Sequence, residues 1–262
     1  MPGPAPVVVQ MSATGWKPVP DVLTHAYTIE QRARIASTVG SASTVDSAVL
    51  LVEASLRRTP AGGAAGLVES IRITAPGSPS HVPDGLLLPL AIAAPPVPRG
   101  QAFAFGPAFS STGVRCPSPI PSVLNALRDV VLRAPDSLYV GATWSDSASF
   151  RTCAGDHELP MIATRTYVVA GHVPAGGSDS VPDDHVVIQR ATKLFVASTL
   201  TRNDDTTRVS GGGNGILTLL VSTTTGDVLA GSGAASLDFS VRSALREETA
   251  HQAVAIRLRR LR

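Results

Sequence analysis

The sequence predicts an all-β fold, an antiparallel sandwich or barrel with one short helical insertion, on three observations. From residue 44 to 174 the chain is a succession of short apolar runs punctuated by Pro and Gly, the spacing of antiparallel β architectures and not of alternating βαβ units. Beyond residue 184, the segments 185–201 and 215–224 read as two long strands. Only 122–133 within this region places apolar residues near helical period, at 123, 124, 127, 130, 131 and 132.

In chain order, residues 1–43 form a Pro-rich N-terminal arm. Residues 1–26 lack periodicity and take their order from neighbours, and 27–39 reads as one short helix because TIEQRARIA combines helix formers with apolar residues three or four apart. TVDSAVLLVEAS, 44–55, is the first strand, and 67–74 and 86–94 follow as a pair separated by the breaker-rich 75–85. Two short apolar runs, 101–106 and 113–116, precede the helix, whose other face carries Arg128 and Asp129; these two are taken as core and subunit-contact positions. After Pro135-Asp136, residues 138–144 alternate as a half-buried strand, and 162–171 closes the series. AGGSDSVPDD, 175–184, is the best boundary, dividing a shell domain, 44–174, from a β-rich C-terminal extension, 175–262. In the extension RNDDTTRVSGGGN is a polar loop, 227–241 supplies two more strands with Gly226-Asp227 as a tight turn, and 243–262 is either a basic amphipathic helix or a short helix followed by a strand on Val254, Ile256 and Leu258.

Composition narrows the function classes. With 262 residues, 44% hydrophobic and 16% charged, the chain can bury a full core and is poor in solvating side chains, which fits surfaces covered by partners or simply a high content of Ala and Val. A net charge of +2 gives no global field toward nucleic acid. Cys116 and Cys153 show neither a disulfide framework nor zinc spacing. With no leader-like N-terminus and no apolar run of ~20 residues, the expected setting is reducing and cytosolic.

Catalytic chemistry finds little support. There is no Gly-x-Ser-x-Gly, the histidines at 25, 81, 157, 172, 185 and 251 are scattered, and Asp156-His157-Glu158 reads as a solvated loop. Gly211-Gly212-Gly213-Asn214-Gly215 lacks the Lys-Ser/Thr of a phosphate loop and reads as a hairpin tip. No catalytic residue, metal ligand or cofactor is expected. One charged feature has content: Arg242, Arg246, Arg257, Arg259, Arg260 and Arg262 form an Arg-rich end that would lie on RNA phosphates, or else solubilise the tail or pair with acids of a neighbouring subunit.

Gly100, Gln101, Phe103 and Gly106, then Val114, Arg115, Cys116 and Pro117, then Pro135, Leu138 and Val140 fall in the order strand, strand, short helix, strand. That series resembles the coat proteins of tymoviruses and their relatives, in which Gly-Gln-x-Phe-x-x-Gly, Val-Lys-Cys-Pro and Ser-Pro-Lys-Leu-Leu-Ile strands occur in this sequence. The resemblance implies a jelly-roll shell and a non-enzymatic structural coat protein of a small RNA virus. Such a subunit would assemble with copies of itself into an icosahedral capsid around viral RNA, without a membrane, in the virion and in host cytoplasm during assembly. The alternatives are a Pro/Ala/Ser-rich nucleoprotein that coats RNA without a closed shell, and a β-sandwich carbohydrate-binding or hydrolytic protein, which so few aromatic residues disfavour.

Overall fold

A computed structural model of the chain describes residues 15–83, 86–108, 118–154, 157–176, 181, 183–202, 205–244 and 247–261. Its elements are β1 (His25–Val39), β2 (Ala42–Arg58), β3 (Ala64–Thr74), β4 (Leu90–Ala94), β5 (Gly106–Pro107), α1 (Ile120–Leu127), β6 (Thr143–Ala154), β7 (His157–Val173), β8 (His185–Arg202), β9 (Asp205–Ser222), β10 (Val228–Arg242) and β11 (Glu247–Arg260). The strands form one sheet in the order β5-β4-β3-β2-β1-β11-β10-β9-β8-β7-β6. Every pairing is antiparallel, so the all-β, antiparallel expectation holds. All but one of these pairings join strands consecutive in sequence; the exception is β1 with β11. A jelly roll instead pairs strands across long crossings. Long hairpins zip from their own turns and close short loops first, which favours the meander seen here. The 175–184 segment, expected as a boundary, connects β7 to β8 within this sheet.

Three local expectations are corrected. Residues 27–39 are strand, not helix: Tyr27, Ile29, Ala33 and Ile35 satisfy a period of two as well as the helical spacing, and β2 and β11 supply backbone partners on both sides. The tail is strand through Glu247–Arg260, with Val254, Ile256 and Leu258 on alternate positions. The glycine run is no hairpin tip, since β9 passes through it in register with β8 and β10. The helix is shorter than expected, ending at Leu127, and β6 begins only at Thr143; before it Leu138 makes a single antiparallel bridge to Trp16. Of the residues carrying the coat-protein resemblance, Val114, Arg115, Cys116 and Pro117 lie outside the described residues, as does Asp156.

The sheet curls until its two edges are linked. Residues 100–102 run parallel to the edge strand β6, with Ala102 N–H donating to Ser147 O (2.9 Å) and Ser147 N–H to Gly100 O (2.9 Å). A few residues on, β5 pairs with β4 at the opposite edge, so 100–107 straps the two edges together. Glycine permits the tight curvature: a Cβ on Gly213 would collide with Ser236 O, and one on Gly233 with Ile216 O. Only residues without a side chain allow β9 and β10 to approach in this way.

One end of the enclosed space is packed solid. Ile29 and Val52 from one arm of the sheet, Ile188, Leu217 and Val221 from the other, and Val123, Leu127 and Leu138 from the helical segment share one apolar cluster with essentially no exposure. The helix enters through Pro119 and Pro121, where proline suits the first turn, and buries Val123, Leu124, Ala126 and Leu127. Ser122 and Asn125 are left facing the other way, into the unfilled half of the barrel.

Candidate ligand-binding site

The unfilled half is a cavity of about 880 Å³, at the upper end of the roughly 300–1,000 Å³ typical of ligand pockets. Its wall is the inner face of β6 to β11 and part of β1. Strand alternation points Met161, Leu194, Val196, Val209, Leu237 and Phe239 into it, and small residues at Gly215, Ala234 and Ala235 keep the middle open. Thr207, Ser243 and Glu248, near the hairpin ends, line its mouth.

The floor differs from the wall in being charged and buried. Arg165 lies directly opposite Asp146 across β6 and β7, donating from Nε to Oδ1 at 2.7 Å and from its terminal nitrogen to Oδ2 at 2.7 Å. Tyr167 adds an O–H donor to Asp146 Oδ2 at 3.1 Å. Burial pushes that phenol well above its ordinary range, so it remains a donor at neutral pH. Arg190 pairs with Asp129 just beyond the helix, and Arg165 is also 3.7 Å from Asp129. Arg128 is held by neutral oxygens, with Nε donating to Phe103 O at 2.9 Å and a terminal nitrogen to Asn125 Oδ1 at 3.1 Å, and its guanidinium lies 4.7 Å from the Phe150 ring centre. Burial, and then the like charge of Arg165, draws the Arg128 pKa down to about 10, which leaves it cationic at neutral pH.

Three guanidiniums therefore face two carboxylates at the bottom of an apolar cup, an excess of one positive charge. Arg190 Nε and Thr192 Oγ1, both of residues lining the cavity, are buried without a hydrogen-bond partner among the described residues. A surplus buried cation and unpartnered polar atoms at the base of an apolar space suit an anionic group attached to an apolar body.

Sequence reasoning missed this site. Arg128 and Asp129, read as core and subunit contacts, line the cavity. A signal was present in β7, where Arg165 occupies the inward series Met161, Ala163, Tyr167 and Val169. The six Arg-rich-end candidates are not brought together. Arg242 ends β10 and pairs with Glu247 at 2.8 Å; Arg260 reaches Asp183 at 3.1 Å; Arg257 and Arg259 are exposed on β11, beside Glu30 and Thr28 of β1. Arg246 and Arg262 lie outside the described residues. No helix among the described residues is long and apolar enough to cross a membrane.

No family model matches the chain, and no curated protein matches it.

Proposed function

We propose that this protein binds an amphipathic anion, a molecule with an acidic head and an apolar body such as a medium- or long-chain carboxylic acid. The observation that carries the reading is the combination in one cavity of an apolar wall and a buried floor with one guanidinium more than carboxylates. The head would meet Arg128, whose present partners are neutral, beside Arg190 and Thr192, which also line the cavity. The body would lie along Met161, Val209 and Leu237, where contact with apolar surface replaces contact with water. Titration calorimetry with decanoate is the test. Saturable one-to-one binding, weakened about tenfold or more by Arg128→Gln, supports the reading, since a hydrogen bond to a charged group contributes about 1.5–3 kcal/mol. Absence of saturable binding refutes it.

A second reading, the coat subunit implied by the likeness of 100–144 to tymovirus coat proteins, has one structural feature in its favour. Ile162 and Phe195 lie opposite each other on the outer face of β7 and β8, 53% and 55% exposed, and with Ile216 on β9 they offer apolar surface for another copy of the chain. The mass of the native assembly together with its absorbance ratio at 260 and 280 nm decides this: a large homo-oligomer carrying nucleic acid supports it, and a protein-only monomer rejects it.

A further inference from the structure

We propose that Asp21, His25 and Asp227 form a binding site for one divalent transition-metal ion, with Zn²⁺ the best match. The three groups come from two separate parts of the chain. His25 opens β1, Asp21 lies four residues before it, and Asp227 sits in the turn between β9 and β10. His25 Nε2 is 3.1 Å from Asp21 Oδ1 and 3.4 Å from Asp227 Oδ2, and one donor atom from each residue lies within 4.8 Å of the others. Zinc bonds of about 2.0–2.1 Å in tetrahedral geometry set donor atoms about 3.3 Å apart, so the two distances from His25 match edges of a zinc tetrahedron.

Asp227 supplies the independent observation. It is 7% exposed, and its Oδ2, turned toward His25, is buried without a hydrogen-bond partner. Its other oxygen lies 3.5 Å from Arg58 Nε. An orphaned carboxylate oxygen at this depth is costly unless a cation meets it. His25 Nε2 is in hydrogen-bond contact with Asp21 Oδ1 at 3.1 Å and leaves Asp227 Oδ2 unpartnered, whereas an ion accepts a lone pair from each donor. Room exists beside them in a small cavity of about 10 Å³ whose lining includes Asp21, His25, Asp227 and the two arginines Arg57 and Arg58, about the space one water or ion occupies. Three protein donors leave the fourth tetrahedral position open for water.

The site does not use the residues lining the apolar cup, so its test separates from that of the anion-binding reading. The full chain is dialysed against chelator and titrated with Zn²⁺ alone, and Co²⁺ is added in parallel to read coordination from its visible absorption. One-to-one Zn²⁺ binding and an intense tetrahedral Co²⁺ spectrum are expected. Asp21→Asn and His25→Gln should each weaken binding at least about tenfold. Asp21 is half-exposed ahead of β1, so Asp21→Asn should keep the metal-free melting temperature and decanoate binding, which distinguishes ligand loss from unfolding. Absence of stoichiometric Zn²⁺ binding, an octahedral Co²⁺ spectrum, or undiminished affinity in both variants would overturn the proposal.

Discussion

Arg165 and Asp146 face each other across β6 and β7 as a two-pronged ion pair, both about 95% buried and joined by two hydrogen bonds of 2.7 Å. The geometry gives the pair its strength and also makes either partner expensive to lose. Asp146→Asn should destabilise the protein by about 3 kcal/mol, because Arg165 then loses its two-pronged partner and keeps only Asp129 at 3.7 Å. Urea denaturation measures this. The double variant Asp146→Leu/Arg165→Met should recover most of the loss, since well-packed apolar residues often replace a buried pair at little cost.

Gly213→Ala probes the curl of the sheet. The added methyl meets Ser236 O and the Leu237 Cα on β10. Backbone atoms have no side-chain freedom to yield, so the expected loss is about 1–3 kcal/mol, an overpacking cost. Gly212→Ala is the control, because its Cβ would come no nearer than 3.4 Å to Leu194 O, and its effect should be smaller by equilibrium unfolding.

Asp184 should confer a pH dependence on stability. Burial would raise its pKa, but the Thr223 hydroxyl and His172, whose Nε2 lies 2.6 Å from Oδ1, outweigh that and hold the carboxyl below its ordinary value. A folded-state pKa below the unfolded one means the contribution is present above the unfolded value and is lost as pH falls through the folded value. The melting temperature of Asp184→Asn should therefore lie below that of the parent at neutral pH, and the gap should narrow once the pH drops beneath about 4. A gap that stays constant down to pH 2 would contradict this.

Val254→Trp tests the volume of the cup without touching its floor. Val254 lines the cavity from β11 and is only partly buried, so a large ring there can occupy the space. Decanoate binding should fall at least about tenfold, with the melting temperature held or raised, as filling a cavity restores packing contacts. Calorimetry and a thermal melt on the same sample give both readings.

The strands that alternate cleanly were legible in the sequence. Met161, Ala163, Arg165, Tyr167 and Val169 show the inner face of β7 without any structure, and 44–55 and 185–201 were equally plain. The 27–39 segment was not, because its apolar residues satisfy two periods at once and one of the two strands that decide between them, β11, is more than 200 residues away. Glycine at 211, 213 and 215 reads as loop from local chemistry alone. What fixes it in a strand is the carbonyl of a neighbouring strand standing where a Cβ would be. The floor was hidden for a related reason: Asp129 and Arg190 are 61 residues apart and meet only because the sheet curls around the helix. His25, Asp21 and Asp227 likewise converge only because β11 pairs with both β1 and β10 and sets the start of one beside the start of the other.

The central claim, that the cup selects an acidic head on an apolar body, is tested most directly by comparing decanoate with decanol, which share a chain and differ in charge. Titrated into the intact protein at neutral pH and moderate salt, decanoate should bind one-to-one and about tenfold or more tighter than decanol. That advantage should disappear in Arg128→Gln. Equal affinity for the two, or an advantage for decanoate that survives in Arg128→Gln, would contradict the account.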